Sequence, residues 1–305
     1  MYFPYLRGRQ FELIALREFA KQREGENSVI PIIEPVKKTF NSLKIAISKF
    51  KEFDLKFALI LNPQVGDITD FQKVLDELED ELVDAIWFPA FIVSNNIGAV
   101  KKYIKIKKLN EVMIICSKST DTGSNDFLDF ALSNRVKFIV SEENKSLKRK
   151  LKGTDKNLIL LSDCFKPKKR NSDYLDAPAE KFTEENIFFE EDGYFGFSDY
   201  TTISSEFNEG GTTPYAVSIH LTYQKKNEEI WIRHFTSESN DDQANVQGKF
   251  AEAAKKAVKF LDKKEIKSIA ANELRQYFNN QKYPGLGMVK KISIKNHLEL
   301  VNNIL

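Results

Sequence analysis

The sequence predicts an α/β fold of the TIM-type (β/α)8 barrel class, with a β-hairpin inserted after the eighth strand. Apolar runs of strand length, separated by amphipathic stretches, begin roughly 21 to 28 residues apart, near positions 2, 29, 57, 85, 111, 136 and 157. An eighth apolar run, YFGFSD, follows from Tyr194. Continuous apolar strands that alternate with helices are typical of a parallel sheet covered on both faces. Eight such units in succession favour a barrel.

The repeat starts at the first residues. YFPYLRG predicts a strand, and QFELIALREFAKQ predicts a helix because its apolar residues recur at helical spacing. Five further units have the same form: VIPIIEP with FNSLKIAISKFKEF, KFALILNP with TDFQKVLDELEDEL, AIWFPAFIV with NNIGAVKKYIKIKK, VMIICS with DFLDFALSN, and VKFIVSEE with NKSLKRKL. The seventh strand, NLILLSDCF, leads into the polar segment 166–186, which predicts an exposed loop. A doubly wound open sheet is the alternative, but its usual Gly-rich first turn is replaced here by RGRQ.

The eighth unit is irregular. Alternating residues from Tyr215 to Tyr223 and from Ile230 to Phe235 predict a β-hairpin, and 248–263 predicts the helix that follows it. We therefore expect a single barrel-like domain over 1–305, with an inserted hairpin region at 205–247. Helical patterns at 267–280 and 294–304 predict a C-terminal helical extension, 265–305, packed on the barrel exterior. A long insertion after a barrel strand lies at the catalytic face.

Composition and missing motifs exclude several classes of protein. Apolar residues make up 42% and aromatic residues 12%, enough for a sizeable core. Lys and Arg number 46 against 44 Asp and Glu, so net charge does not predict a polyanion binder. Without a signal peptide or a membrane-length apolar run, we expect no membrane association and a cytoplasmic location. HExxH, P-loop, GxSxG and CxxC motifs are absent from the sequence.

The candidate site is the rim formed by the carboxyl ends of the strands, where barrel enzymes keep their working residues. Carboxylates end four apolar runs, PIIE, FIVSE, LILLSD and FGFSD. Several carboxylates at one rim can hold a divalent cation or act as acid and base, and a nearby Arg can bind an anion. The candidate catalytic residues are Glu34, Asp163 and Asp199. The candidate substrate-binding residues are Arg7, Arg9, Asn62, Tyr200, His220 and Arg233.

Each of these features also has a structural interpretation. Polar residues end many strands simply because strands end at the surface. His234 shares a face with apolar residues, which favours a satisfied, partly buried histidine, and Arg233 can stack on its aromatic neighbours. The basic cluster KPKKR at 166–170 could meet phosphate groups or be merely solvated. NEGGTTP at 208–214 could present backbone amides to an anion or serve as a flexible lead-in to the hairpin.

Several motifs resemble those of a known group of proteins. YFPYLRGRQFELIALRE, followed by IPIIEP, resembles the start of the bacterial and phage beta family proteins. SDYTTI, TPYAVSIHLTY, IWIRHF and NVQGKFAEA resemble a compact bacterial branch of that group. The resemblance covers nearly the whole chain. It implies a protein from a mobile or antiphage-defence neighbourhood, often encoded beside a partner, and it includes Arg7, Glu34, Asp199 and Tyr200 in motifs without assigning them roles.

Two hypotheses about function follow. In the first, the barrel rim is the active site of an enzyme for an anionic or phosphate-bearing substrate, such as a nucleotide or nucleic acid. In the second, the barrel is a non-catalytic scaffold, and the 194–250 region binds a partner protein or a phage trigger. The fold itself does not decide between them, because TIM-type barrels host many unrelated functions.

Overall fold

The computed structural model describes residues 1–23, 28–68, 70, 72–210 and 213–305. Contacts divide the chain into two compact units. The first comprises 1–13, 24–162 and 188–199, and the second comprises 14–23, 163–187 and 200–305. The sequence predicts one barrel-like domain over 1–305, and whether the two units fold as one domain stays a prediction.

The first unit is an eight-stranded parallel sheet whose strands alternate with helices. The strand order follows the chain, from β1 through β7 to β9. The strands are β1 (Tyr5–Leu6), β2 (Ile32–Ile33), β3 (Phe57–Ile60), β4 (Trp87–Val93), β5 (Val112–Cys116), β6 (Val136–Ser141), β7 (Asn157–Leu161) and β9 (Gly196–Ser198). The helices are α1 (Gln10–Gln22), which continues into the second unit, α2 (Asn41–Glu52), α3 (Lys73–Leu82), α4 (Ile97–Ile106), α5 (Asn125–Ala131) and α6 (Lys145–Leu151).

The N-terminal segment closes this sheet into a nearly complete barrel. On one side, Tyr2 O accepts from Ile30 N at 2.9 Å, and the same ladder continues along β2. On the other side, Phe3 N donates to Phe197 O at 2.8 Å, beside β9. Because the first strand pairs with both neighbours, the sheet lacks the two free edges of an open doubly wound sheet. The predicted TIM-like barrel is therefore confirmed at the level of the sheet and its alternating helices.

Aromatic rings fill the barrel interior near the amino ends of its strands. Phe138 of β6 contacts Phe3, Phe88 of β4 and Phe195, with ring centroids 5.9, 4.9 and 6.0 Å away. Rings from strands that are not neighbours in the sheet can meet in this way only across the interior. Phe3 therefore points inward, and by the alternation of side chains along a strand so do Tyr5 and Arg7.

The second unit contains a separate three-stranded antiparallel sheet in the order β10-β11-β8. Its strands are β8 (Ala179–Thr183), β10 (Ser218–Gln224) and β11 (Ile230–Thr236). Its helices are a 3-10 helix (Asn171–Leu175), most of α7 (Glu185–Phe188), α8 (Val246–Lys263), α9 (Ile269–Asn279) and α10 (Leu286–Ile304). The predicted hairpin is present, but it pairs with β8 and so is not simply an insertion after the eighth strand. The prediction of an exposed loop at 166–186 is wrong, because this segment supplies both β8 and a buried Tyr174.

The C-terminal helix α10 is buried on nearly every side despite its polar sequence. Lys291 and Lys295 are each 1% exposed and share Glu18 and Glu273, with Nζ–O distances between 2.6 and 3.5 Å. Asn296 donates to Thr222 O of β10 at 2.9 Å. Because these buried polar groups are paired, the helix belongs to the interior of the second unit. Among the described helices, none is long and apolar enough to span a membrane.

Closure of the barrel predicts that Gly196→Ala is strongly destabilising. A Cβ at this position would lie 2.5 Å from Met1 O and 2.8 Å from the Phe3 ring, so backbone of the closing strand would have to move. We expect a loss of about 2 kcal/mol or more, measured by chemical denaturation. Gly98→Ala in α4 is the matched control, since nothing lies within 4 Å of its Cβ and Ala favours a helix. Equal stability of the two variants would contradict this account of closure.

The ion-pair network on α10 predicts a pH-dependent effect of Glu18→Gln. Burial alone raises the pKa of Glu18, but the hydrogen bonds and the charges of Lys295 and Lys291 together outweigh it and lower the pKa below the usual 4.5. The stabilisation is thus complete above about pH 4.5 and is lost as pH falls through the lowered pKa. We expect the variant to lose about 1–2 kcal/mol of unfolding free energy at pH 7. This loss is smaller than the loss from breaking a fully buried pair, because Glu273 remains and Glu18 is partly exposed.

The measurement is thermal unfolding of Glu18→Gln and of the native chain from pH 7 down to pH 3. The difference in Tm should narrow below pH 4.5. Glu265→Gln, at an exposed position, is the control and should leave Tm nearly unchanged throughout. A gap between Glu18→Gln and the native chain that stays constant over the whole pH range would rule out the ion-pair explanation.

Candidate functional site

The predicted residues Arg7 and Glu34 meet inside the barrel, beyond its aromatic layer. The Glu34 carboxylate is fully buried and accepts hydrogen bonds from Tyr5 Oη at 2.7 Å, from Arg7 Nη1 and from Gln64 N at 2.8 Å. The Arg7 side chain is 14% exposed, and its guanidinium carbon lies 5.0 Å from the centre of the Tyr5 ring. We call Tyr5, Arg7 and Glu34 the barrel-end cluster. It combines a cation that solvent can reach with a buried carboxylate and a phenol.

The turn between β1 and α1 holds Arg7 in place. Gly8 has φ of 60°, in the left-handed region, and a Cβ there would approach Glu34 O at 3.3 Å. Glu12, in the first turn of α1, accepts from Arg7 N at 2.6 Å and from Arg9 N at 3.4 Å. The sequence RGRQFE therefore fixes the backbone on both sides of Arg7, because Gly permits the turn and Glu12 caps the helix.

Asp199 lies on the other face of the sheet from Glu34. Its Oδ1 accepts from Tyr2 Oη at 2.7 Å, and the Tyr2 ring contacts Phe197 with centroids 5.0 Å apart. Tyr2 alternates with Phe3 and Tyr5 along the first strand, so it points away from the interior that holds Glu34. Glu34 and Asp199 thus end the two strands on either side of the first strand without sharing a pocket, and their catalytic roles stay predictions.

Asn62 follows β3 and is committed to the backbone of β4. Its Nδ2 donates to Ile92 O and its Oδ1 accepts from Ile92 N, both at 2.8 Å. The side chain is 3% exposed. These two bonds reproduce the pattern of a strand ladder and extend the β3–β4 pairing by one residue. Asn62 therefore has a clear structural role, and its role in substrate binding stays a prediction.

The remaining candidates fall outside the barrel-end cluster. Arg9 lines a separate cleft of about 390 Å3 in the first unit. Asp163, Tyr200, His220 and Arg233 belong to the second unit, where Ser205 Oγ donates to Asp163. Arg233 lies over the Phe260 ring at 5.1 Å. In NEGGTTP, Gly211 and Thr212 lie outside the described residues, so its predicted anion-binding turn stays a prediction.

A pair of histidines forms the polar centre of the second unit. The hairpin register sets His220 directly opposite His234, with their Nδ1 atoms 2.7 Å apart. Burial, followed by the charges of His234 and Lys290, lowers the pKa of His220 to about 3. Burial also lowers the pKa of His234 to about 4, although Glu180 at 3.5 Å opposes this effect. Both rings are therefore neutral at pH 7, and one donates its Nδ1–H to the other.

The histidine pair is a feature that the sequence analysis missed. The predicted hairpin contains the signal for this pair. A turn centred between the two arms sets His220 and His234 opposite each other. His220 also contacts the rings of Phe165 and Tyr174, at 5.2 and 4.9 Å. Across the part of the chain that the structure describes, no three His, Cys, Asp or Glu side chains are grouped so as to hold a metal ion. The divalent cation predicted for the rim stays a prediction.

The Asn62 bonds predict that Asn62→Ala costs stability. The Ile92 carbonyl keeps a second donor, Asn96 Nδ2 at 3.1 Å, so the group left unpaired is the buried Ile92 N–H. We expect a loss of about 1–3 kcal/mol in denaturant unfolding. The control is Gln64→Ala, at an exposed side chain that donates to Asn62 O. An Asn62→Ala variant with native stability would contradict the ladder role and favour a role in binding.

Comparisons with known proteins do not assign the barrel-end cluster. The resemblance to beta family proteins stays a prediction that rests on the motifs of this sequence, including the RGRQFE turn and the strand that ends at Glu34. No protein-family model matches the chain, and neither a curated protein nor a solved structure matches it.

Proposed function

We propose that the barrel-end cluster is the working site of an enzyme for an anionic or phosphate-bearing substrate, with a nucleotide or nucleic acid as the expected class. In line with the motif resemblance, we propose that the protein is related to the beta family proteins and takes part in antiphage defence. The observation that supports the site is the buried Arg7–Glu34 ion pair at the carboxyl ends of parallel barrel strands.

A buried ion pair in this position is costly for the fold. Removing two charges from water costs several kcal/mol per ion, and apolar residues of similar volume often serve stability as well or better. The barrel interior beneath the pair is already packed by aromatic rings such as Phe138. Charged residues that persist where apolar ones would pack are typical of functional sites. The pair therefore favours function over packing.

The chemistry proposed for the cluster follows from its hydrogen bonds. Arg7 is the more accessible member, and its planar guanidinium can bind two oxygens of a phosphate or carboxylate at once. An incoming anion would compete with Glu34 for Arg7. Glu34 would then remain hydrogen-bonded to Tyr5 Oη and Gln64 N, and could accept a proton from the substrate.

A second candidate function is the scaffold that binds a partner protein or a phage trigger through 194–250. The hydrogen bonding of Glu34 favours this scaffold function. Both carboxylate oxygens of Glu34 already accept from donors of the barrel itself. Tyr215, just before the hairpin, is 55% exposed and offers an aromatic contact in the proposed binding region. In this account the Arg7–Glu34 pair only joins β1 to β2.

The two functions are separated by replacing both members of the pair, as Arg7→Met with Glu34→Met. Removal of both charges together avoids leaving one of them buried and unpaired, but Tyr5 Oη and Gln64 N lose their acceptor, so stability should fall by about 2–4 kcal/mol. If the cluster is a working site, protection of cells against phage should be lost while the protein stays folded. The measurements are plaque counts on cells that express each variant, and Tm by thermal unfolding.

The control is Tyr215→Ala, and Asp199→Asn is measured beside it. Asp199→Asn tests the predicted catalytic role of Asp199: retained protection limits the working site to the interior cluster, and lost protection adds Asp199 to it. Tyr215→Ala removes the exposed aromatic side chain and should keep the phenotype. A folded, fully protective double variant, together with loss of protection in Tyr215→Ala, would refute the enzyme proposal in favour of the scaffold.

A further inference from the structure

The second unit carries a basic cleft between the hairpin and α8, with a volume of about 560 Å3. We use the name basic cleft for the groove lined by Arg233 of β11, by Lys256, Lys259 and Lys263 in the second half of α8, and by Lys264 just after it. The one carboxylate in its lining is Glu238. Volumes of several hundred Å3 are typical of small-molecule sites. Neither the barrel-end cluster nor its chemistry involves this cleft.

Most of the positive charge in the basic cleft is not neutralised by the protein. Lys256 is engaged, since it donates to Thr236 O at 2.7 Å and pairs with Glu238. Among the described residues, no carboxylate forms an ion pair with Arg233, Lys259 or Lys263. Lys259 and Lys263 are four residues apart on one helix, where like charges repel each other. A concave surface that keeps such charges together favours a bound anion over a merely solvated face.

The basic cleft also offers flat apolar surface beside its charges. Arg233 lies over the Phe260 ring at 5.1 Å, and Phe260 contacts Phe235 with centroids 5.4 Å apart. Tyr174 and Pro178 also line the cleft. An arginine held against aromatic rings can bind phosphate oxygens with its edge while a planar group stacks alongside. His234 also lines the cleft, and its lowered pKa of about 4 leaves it neutral at pH 7.

We propose that the basic cleft binds a nucleoside di- or triphosphate. The helical rise places Lys256 and Lys264 roughly 12 Å apart along α8, which suits one compact polyphosphate rather than an extended strand. The phosphates bind Arg233, Lys259 and Lys263, and the base contacts the apolar side chains that line the cleft. Lys168 of the basic motif KPKKR lies close enough to influence His234 and adds to the positive potential there.

The test is isothermal titration of the full chain with ATP, inorganic triphosphate and a short single-stranded oligonucleotide, at 25 °C and constant salt. The variant is Lys259→Gln with Lys263→Gln, which should weaken ATP binding by about tenfold or more. The matched control, Lys255→Gln with Lys267→Gln, removes the same charge from exposed positions outside the cleft. It should stay within about twofold of the native affinity. Thermal unfolding verifies that every variant is folded.

Binding of ATP that exceeds binding of triphosphate, and that is lost only in the cleft variant, supports the proposal. Absence of ATP binding, equal affinities of the cleft variant and its control, or tighter binding of the oligonucleotide than of ATP would each overturn it. The Arg7→Met, Glu34→Met variant keeps the two proposals apart. If that variant loses ATP binding and the cleft variant keeps it, the nucleotide site is at the barrel end and the cleft proposal fails.

Discussion

The hydrogen bonding of the first six residues to strands on both sides is the constraint on which the first unit depends. Leu6 O accepts from Glu34 N, while Tyr5 N donates to Asp199 O, both at 2.8 Å. This double pairing joins the start of the chain to a strand almost two hundred residues away. It also decides which side chains are enclosed, because closure makes one face of every strand an interior. The long sequence separation makes this closure a costly step in folding.

Closure also sets the electrostatics of the barrel-end cluster. An interior filled by Phe3, Phe88 and Phe138 cannot solvate a charge, so Glu34 needs donors from the protein itself. Tyr5 and Arg7 supply them because they alternate with Phe3 on the strand that closes the barrel. The same strand therefore brings the site together and seals it. A change that loosens closure should disturb the Arg7–Glu34 pair as well.

The sequence predicts the barrel well because its signal is local and repeated. Each apolar run of a buried parallel strand is followed by an amphipathic helix, and periodicity alone finds both. The strand β8 has no such signal, since AEKFT contains the charged residues Glu180 and Lys181 and is buried only at Phe182 and Thr183. Its pairing with β11 depends on tertiary contacts and not on a local sequence pattern. Helix α10 begins at Leu286, earlier than the predicted 294. Its lysines suggest an exposed helix when the sequence is considered alone, because their partners Glu18 and Glu273 lie far away along the chain.

The candidate site is predicted less completely for a related reason. Strand ends can be read from the sequence, but the face on which each side chain emerges depends on register, which a shift of one residue reverses. Glu34 and Asp199 end equally apolar runs, yet one bonds to Tyr5 inside the barrel and the other to Tyr2 on the opposite face. For Asn62, a polar residue after a strand proves to be a backbone partner of Ile92. Position along the chain alone does not distinguish these outcomes.

The α10 ion-pair network and the barrel-end cluster differ in a way that bears on function. In the α10 network, two lysines share two carboxylates, each cation is nearly inaccessible, and the pairs offset the cost of burying the two lysines. In the barrel-end cluster the carboxylate is the inaccessible partner, and the cation, Arg7, keeps 14% of its side chain in solvent. A ligand anion can therefore reach the positive member of the second network but not of the first. This asymmetry, together with the cost of burying charge, supports the proposal of a working site at the barrel end.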